Sequence, residues 1–117
     1  MSTIEPVSYD VTLRRFRTFS KTFLFTDADN VPLNLSGYTV TAEIRKERSY
    51  SSDLIDAFNI DMSDAANGNI TISFSESETG AILESNGFWD MLFEVGSTKE
   101  SWLEGAVEIV DSITNVP

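Results

Sequence analysis

The sequence predicts an all-β protein, an antiparallel sandwich of about seven to eight short strands with one short helical turn. Three observations carry this prediction. Large and polar side chains alternate in most segments, and turn-forming residues recur about every ten residues. One segment, residues 75–83, shows a helical pattern instead. The length of 117 residues leaves room for a single domain with its own core.

Composition excludes several classes of protein. The apolar fraction of 41% and the eight Phe residues are too high for a disordered chain. The chain has no Cys and no His, so it lacks thiolates, the usual general base near neutral pH and the commonest metal ligand. We predict no enzymatic activity, no metal and no cofactor. No apolar run exceeds three residues and the N-terminus lacks the pattern of a secretory signal, so we expect no membrane span.

The charge is strongly negative and unevenly distributed. The net charge is −11, and residues 49–117 carry thirteen acids against the single base Lys99. Such a surface repels phosphate backbones and anionic lipid, so we expect neither nucleic acid nor membrane as a partner, and no small-molecule substrate. Four of the eight bases gather in a short N-terminal segment: Arg14, Arg15, Arg17 and Lys21. We predict that they contact the acidic body of the same or a neighbouring copy. A solvated strand face and nucleic acid are the less favoured alternatives.

The N-terminal part of the chain supplies two predicted strands. Side chains alternate over residues 7–13, which predicts a first strand or a docking arm. We therefore divide the chain into residues 1–18, the N-terminal arm or first strand, and residues 19–117, the sandwich domain. Residues 19–26 are apolar on both faces, which predicts a central strand.

A turn and a regularly alternating strand follow. Over residues 38–46 the inward face is predicted to be Tyr38, Val40, Ala42 and Ile44. Before it, Asp27 and Asp29 are spaced like the start of a calcium loop. Such a loop needs a glycine at its sixth position and a glutamate at its twelfth, where this chain has Pro32 and Tyr38. We predict a hairpin turn rather than a cation site.

The middle of the chain contains a turn signal and a helix-start signal. Phe58, Ile60 and Met62 share one face, and Asn67-Gly68 predicts a type I′ hairpin turn with strands on both sides. Ser75 with Glu78 forms a capping-box pattern, and we expect Ile82 and Leu83 to pack the short helix downward. An acid/base pair among Glu76, Glu78 and Glu84 is the alternative. Capping explains the same residues without a cleft.

The last two predicted strands form a hairpin around residues 96–99. The predicted core residues on them are Trp89, Met91, Phe93, Val95, Leu103, Gly105, Val107 and Ile109. Phe88, Leu92 and Trp102 fall on the opposite faces. Either residues 1–18 cover them or they form an apolar surface for a partner, and we favour the partner. The predicted partner interface is therefore Arg14, Arg15, Arg17, Lys21, Phe88, Leu92 and Trp102.

Short motifs succeed one another over residues 19–111. After the aspartate-rich turn come Leu35, Ser36, Gly37 and Tyr38, and then a strand ending in Arg45. A Ser-x-x-Glu-Thr turn over residues 75–79 precedes Gly87, Phe88, Trp89 and Asp90, and Gly105 lies in the last strand. The succession resembles the immunoglobulin-like domain of tailed-bacteriophage virion proteins, similar to the N-terminal domain of phage baseplate upper proteins. It departs in having Asn30-Val31 where that family often has a glycine, and in residues 1–18, which precede the match.

The resemblance implies an immunoglobulin-like sandwich that serves as a non-enzymatic structural component of a virion. It would dock through protein–protein interfaces at the tail, baseplate or fibre attachment, after synthesis in the host cytoplasm. The implied partners are other virion proteins and copies of itself. A capsid decoration or head protein of the same fold is one alternative. The other is a carbohydrate-binding adhesion module that stacks sugar rings on Trp102, Trp89 or Tyr50.

Overall fold

A computed structural model describes residues 7–114 as nine strands and one α-helix, arranged in two facing sheets. The first sheet contains, in spatial order, β1 (Val7–Ser8) with β2 (Val11–Arg14), β9 (Thr98–Val110), β8 (Asn86–Val95), β4 (Thr39–Arg45) and β5 (Leu54–Ala57). The second contains β3 (Phe19–Leu24), β7 (Asn69–Phe74) and β6 (Asn59–Asp61). The helix α1 (Glu76–Ala81) connects the two sheets between β7 and β8.

The strand order confirms the predicted fold class, an all-β immunoglobulin-like sandwich. In that fold strands C, F and G pair in one sheet and B, E and D in the other, and a further strand C′ can join strand C. Here β4, β8 and β9 take the places of C, F and G, β5 that of C′, and β3, β7 and β6 those of B, E and D. One feature differs from an all-antiparallel sandwich. Both β1 and β2 pair parallel with β9, so the first sheet is mixed.

The N-terminal segment contributes to the core of this sandwich. Val11 and Leu13 on β2 are at most 3% exposed and pack with the inward residues of both sheets. Residues 7–14, which the sequence leaves open between an arm and a first strand, are therefore paired along β9. Residues 1–6 of the predicted arm lie outside the described residues.

The inward faces predicted for β4, β8 and β9 are largely confirmed. The buried core includes Ala42, Ile44, Trp89, Met91, Phe93, Leu103, Val107 and Ile109. From the second sheet, Ile70, Ile72 and Phe74 on β7 complete it. Val95, at the end of β8, is 41% exposed, contrary to its predicted place in the core. No helix within residues 7–114 has the length and apolar character needed to cross a bilayer.

The prediction of a central strand over residues 19–26 is wrong, because β3 pairs with β7 alone and is an edge strand. Phe19 and Phe23 point inward, whereas Leu24 is 57% exposed. The exposed Leu24 made the segment look apolar on both faces. A polar residue on this edge, Lys21, is typical of strands that must not pair with other chains.

The turn between β6 and β7 also differs from the prediction. Strands lie on both sides as expected, but the connection is a short 3₁₀ turn over Ala65–Asn67 rather than a two-residue type I′ turn. Gly68 alone has the positive φ, 82°, while Asn67 has none. Asn67 and Asn69 instead donate side-chain hydrogen bonds to Asp64. These bonds and the burial of Ala65 favour the longer connection.

The capping box at the start of α1 is confirmed. The hydroxyl of Ser75 accepts from the backbone N–H of Glu78, and the Glu78 carboxylate accepts from the backbone N–H of Ser75 at 2.8 Å. That N–H and the side chain of Asn59 hold the pKa of Glu78 below its usual range. At the other end Ile82 is buried as expected, but Leu83 is 86% exposed. The two-residue packing predicted there is wrong, because the helix ends before Leu83 can turn inward.

The aspartate-rich turn is a hairpin held by one side chain. Thr26 bridges to Pro32, and the Asp27 carboxylate accepts from the backbone N–H groups of Asp29 and Val31 at 2.8 and 3.0 Å. Asn30 has a positive φ of 63°, which Asn tolerates better than most residues. Asp27 therefore satisfies the turn's backbone donors.

Candidate docking site

Arg15 is one of the predicted interface residues, but its side chain contacts groups of its own chain. Its guanidinium donates to the carbonyls of Ile82, Leu83 and Glu84 at 2.9, 3.3 and 2.7 Å, and to the Asp111 carboxylate at 2.7 Å. These contacts tie the end of β2 to the segment after α1 and to the end of β9. All three guanidinium nitrogens of Arg15 therefore bind within the chain, and this residue has a structural role.

The other three basic residues contact different groups. Arg17 donates to the carbonyl of Thr114 at 2.6 Å, and Lys21 lies 5.7 Å from the ring centroid of Tyr9. Arg14 is exposed on β2. The turn between them packs on α1, where the buried Thr79 hydroxyl bonds the backbone of Arg17. Arg15 and Arg17 therefore both bond to the segment that follows β9, at Asp111 and Thr114. Lys21 lies instead beside Tyr9, so the four bases do not share one contact.

The structure corrects the position of Trp102. Period-two counting put it on the outer face, but the register of β8 against β9 shifts at this point, so that Leu103 pairs with Met91 and Ser101 with Leu92. Trp102 is the extra residue of this bulge and packs against the core beside Phe93. A bulge breaks the alternation by one residue, which is why counting failed. Trp102 is part of the fold rather than an exposed docking anchor.

Phe88 and Leu92 lie where the sequence predicts, on the outer face of the first sheet and apart from the core. Both are half-buried, because the loop between β4 and β5 folds back over this face. The Arg45 guanidinium helps to shape the loop by donating to the carbonyl of Ser52 at 2.7 Å. Loop and sheet enclose a groove of about 380 Å³ whose floor includes Phe88 and Leu92. We call it the outer groove.

An unusual row of acids crosses the floor of the outer groove. Glu43 on β4 pairs directly with Asp90 on β8, and Asp90 pairs directly with Glu104 on β9. Side chains so paired have Cβ atoms about 5 Å apart, and like charges in this position destabilise a sheet. Phe88 and Leu92 flank Asp90 along β8. The groove therefore combines an apolar floor with a line of negative charge.

Partners within the chain offset these charges. Arg45 pairs with Glu43 at 2.9 Å, and the hydroxyl of Ser101 donates to Asp90 at 2.7 Å. Arg48, from the loop, reaches Glu104 at 3.2 Å, and its guanidinium lies 4.8 Å from the ring centroid of Phe88. The Arg48 guanidinium therefore lies over the ring of Phe88 and pairs with the carboxylate of Glu104.

Sequence reasoning found Phe88 and Leu92 but missed the acidic row and Arg48. The alternation of each strand does place Glu43, Asp90 and Glu104 outward. Their alignment depends on the pairing register of three strands, which no local pattern contains. Arg48 carried no signal at all, because its contact with Glu104 joins residues 56 positions apart.

The aromatic residues of the adhesion alternative occupy unequal positions. Trp89 is 3% exposed and packs in the core, and Trp102 packs against the core beside Phe93. Tyr50, in the loop over the outer groove, is 92% exposed. Two of the three rings therefore have no face available for a sugar.

Comparison with known proteins adds little to this picture. No protein-family model matches the chain, and no curated protein matches it. Among solved structures, it is similar to the filamin domain of Lin-41, with a TM-score of 0.46 and 17% identity over 84% of this chain and 81% of that one.

Proposed function

We propose that this protein is a non-enzymatic structural module of a bacteriophage particle that docks to other virion proteins, at the tail, baseplate or fibre attachment. The observation that carries the docking role is the outer groove. Its apolar floor at Phe88 and Leu92 is surrounded by polar lining residues such as Thr41, Glu43 and Asp90. An apolar area with a polar rim is typical of a protein-binding surface.

The motifs that resemble phage virion domains support the particle assignment. Several of them occupy positions where the backbone geometry limits the choice of residue. A Cβ atom at Gly105 would overlap the carbonyl oxygen of Tyr9, and one at Gly87 would lie 2.9 Å from the carbonyl oxygen of Arg45. Leu35, in the corner before β4, is 1% exposed. These residues build the sandwich, so the resemblance concerns the framework rather than a site.

A docking role also fits the chemistry of the acids. Within residues 7–114, no three acidic side chains converge closely enough to hold a metal ion. The carboxylates of Asp27, Asp64 and Glu78 accept hydrogen bonds that stabilise turns and a helix end. We assign the acids to the fold and to the surface charge rather than to catalysis.

Mass spectrometry of purified particles tests the particle assignment. Virions of the phage that carries this gene would be purified by density gradient, and heads would then be separated from tails. We expect the chain in the tail fraction at constant stoichiometry. Recovery in the head fraction would support the capsid alternative and contradict the tail location. A chain that is made during infection but absent from both fractions would overturn the assignment.

A pair of variants tests the docking face. Phe88→Ser removes the aromatic floor of the outer groove, and Leu24→Ser removes an apolar side chain of 57% exposure from the other sheet. We expect the first variant to be lost from particles and the second to be incorporated like the wild type. Equal incorporation of both folded variants would contradict docking through the groove.

Carbohydrate binding through Tyr50 is the remaining alternative. It predicts glycan binding that Tyr50→Ala abolishes, since a sugar ring would need that exposed aromatic face. We expect no signal on a glycan array from either protein. A signal that depends on Tyr50 would favour the adhesion module.

A further inference from the structure

The chemistry of the outer groove points to one kind of side chain. A ligand on its floor meets the ring of Phe88 on one side and the carboxylates of Asp90 and Glu104 on the other. These groups suit a flat cation that stacks on an aromatic ring and donates several hydrogen bonds in a plane. A guanidinium has these properties. An ammonium carries the same charge, but it is not planar and cannot donate two parallel hydrogen bonds.

The chain already contains such an occupant. Arg48 places its guanidinium over Phe88 and donates to Glu104. Both partners of this ion pair are exposed, at 58% for Arg48 and 43% for Glu104, so the pair contributes little to stability. A side chain held by so weak a contact can be displaced by a better placed cation from outside.

We infer that the outer groove receives an arginine side chain from the protein to which this chain docks, and that Arg48 occupies the same place until the partner displaces it. This inference rests on the proposed docking function and names the chemistry of the partner. The acidic row is then retained, despite its repulsion, because it attracts the incoming cation. The net charge of −11 attracts a basic segment at longer range.

Other occupants fit this groove less well. A nucleic acid or a phosphorylated segment would bring negative charge to Glu43, Asp90 and Glu104. A purely apolar segment would bury these carboxylates without adding a donor to those that the chain supplies, which is costly. An arginine suits both the apolar floor and the acidic row, because its methylene chain covers apolar surface while its guanidinium pairs with the carboxylates.

The test is a titration of the isolated chain with acetyl-triarginine amide. Binding is monitored through the NMR chemical shifts of the backbone amides. Acetyl-tricitrulline amide is the control probe, because it has nearly the same shape without the charge. We expect the arginine probe to shift the amides around Phe88, Asp90 and Glu104, and the citrulline probe to shift none. Replacing Arg48 by Ala removes the internal competitor and should tighten binding by about threefold or more.

Three variants separate this effect from general attraction to an acidic protein. Lys99→Ala makes the same charge change as Arg48→Ala, but at a residue that pairs with Glu94 outside the groove. We expect it to leave the affinity near that of the wild type. Asp90→Asn and Phe88→Leu should each weaken binding by about threefold or more, the first through charge and the second through lost stacking. The amide spectra also show whether each variant is folded.

The inference would be overturned if Arg48→Ala bound no more tightly than Lys99→Ala. It would be overturned equally if the shifts spread over the whole acidic surface. These results are independent of the particle assignment. If the chain binds the probe but is absent from virions, the proposed location is refuted, while the arginine site in the outer groove remains supported. If the chain is present in virions but does not bind the probe, the arginine site is refuted and the particle assignment is not.

Discussion

Trp102 lies parallel to Phe93, with ring centroids 4.1 Å apart and planes inclined by 15°. The rings of Phe25 and Tyr38 contact it from other sides, at 5.6 and 5.7 Å. The indole N–H is buried and has no hydrogen-bond partner among the described residues. Four aromatic rings therefore close this end of the sandwich, and Trp102 is held there by apolar contacts alone.

Replacing Trp102 with Ala is expected to destabilise the protein by about 3–5 kcal/mol, since it removes a large packed ring and leaves a cavity. The control is Leu83→Ala, at a side chain of 86% exposure, which should change stability by about 0.5 kcal/mol or less. Urea unfolding followed by circular dichroism measures both. If the two variants were equally stable, Trp102 would be a surface residue after all.

Gly105→Ala should destabilise the sandwich by about 1–3 kcal/mol, as overpacked sites do. The added methyl group would overlap the carbonyl oxygen of Tyr9, which also accepts a hydrogen bond from the indole of Trp89 at 2.7 Å. Gly37→Ala is the matched control, because a Cβ there meets nothing within 4 Å. Thermal unfolding should show a clear loss for the first variant and no loss for the second. An unchanged melting temperature for Gly105→Ala would mean that Tyr9, between β1 and β2, is free to move aside.

Arg15→Met should cost about 1–3 kcal/mol, because the carbonyls of Ile82 and Glu84 lose their donor while the apolar stem is kept. Arg14→Met makes the same change at the preceding, exposed residue and should cost about 0.5 kcal/mol or less. Denaturant unfolding compares the two. Similar losses would show that the effect comes from net charge rather than from the hydrogen bonds of Arg15.

Glu78 should make stability depend on pH in the acid range. Its folded pKa lies below the unfolded value, because the Ser75 N–H and the Asn59 amide bond its ionised form. A depressed carboxyl pKa contributes stability that is present above the unfolded pKa and is lost as pH falls through the folded one. Wild type should therefore exceed Glu78→Gln in stability at neutral pH, and this difference should shrink as the pH falls below 4.5, the ordinary pKa of a glutamate, and through the lower folded pKa.

Urea unfolding midpoints at several pH values measure this difference. Glu76→Gln is the control, because it removes the same charge from the same helical turn without removing the capping contact. We expect the control to show a smaller difference from wild type. A difference for Glu78→Gln that stays constant down to acid pH would contradict ionisation as the cause.

Alternation alone located the inward faces of β4 and most of β8 and β9. Ala42, Ile44 and Met91 are buried because side chains two apart share one face of a strand, a relation that requires no knowledge of the partner strand. The capping box of Ser75 and Glu78 was equally readable, because both its hydrogen bonds lie within four residues. Signals of this kind are local.

Local signals failed where the pairing of strands intervened. The bulge in β9 turned Trp102 inward, and the absence of a second neighbour left β3 at an edge. The roles of the arginines depended in the same way on distant carbonyls, such as that of Glu84 for Arg15. No window of sequence contains both members of these contacts.

By itself the sequence determined that the protein is an acidic all-β sandwich, because side-chain periodicity and charge are properties of the chain. The tertiary structure decided which surface can dock. Glu43, Asp90 and Glu104 line up only when three strands pair in one register, and Arg48 meets Phe88 only when the loop folds back over them. Contacts between residues far apart in the chain are set by the packing of the whole sheet, and that packing places the outer groove.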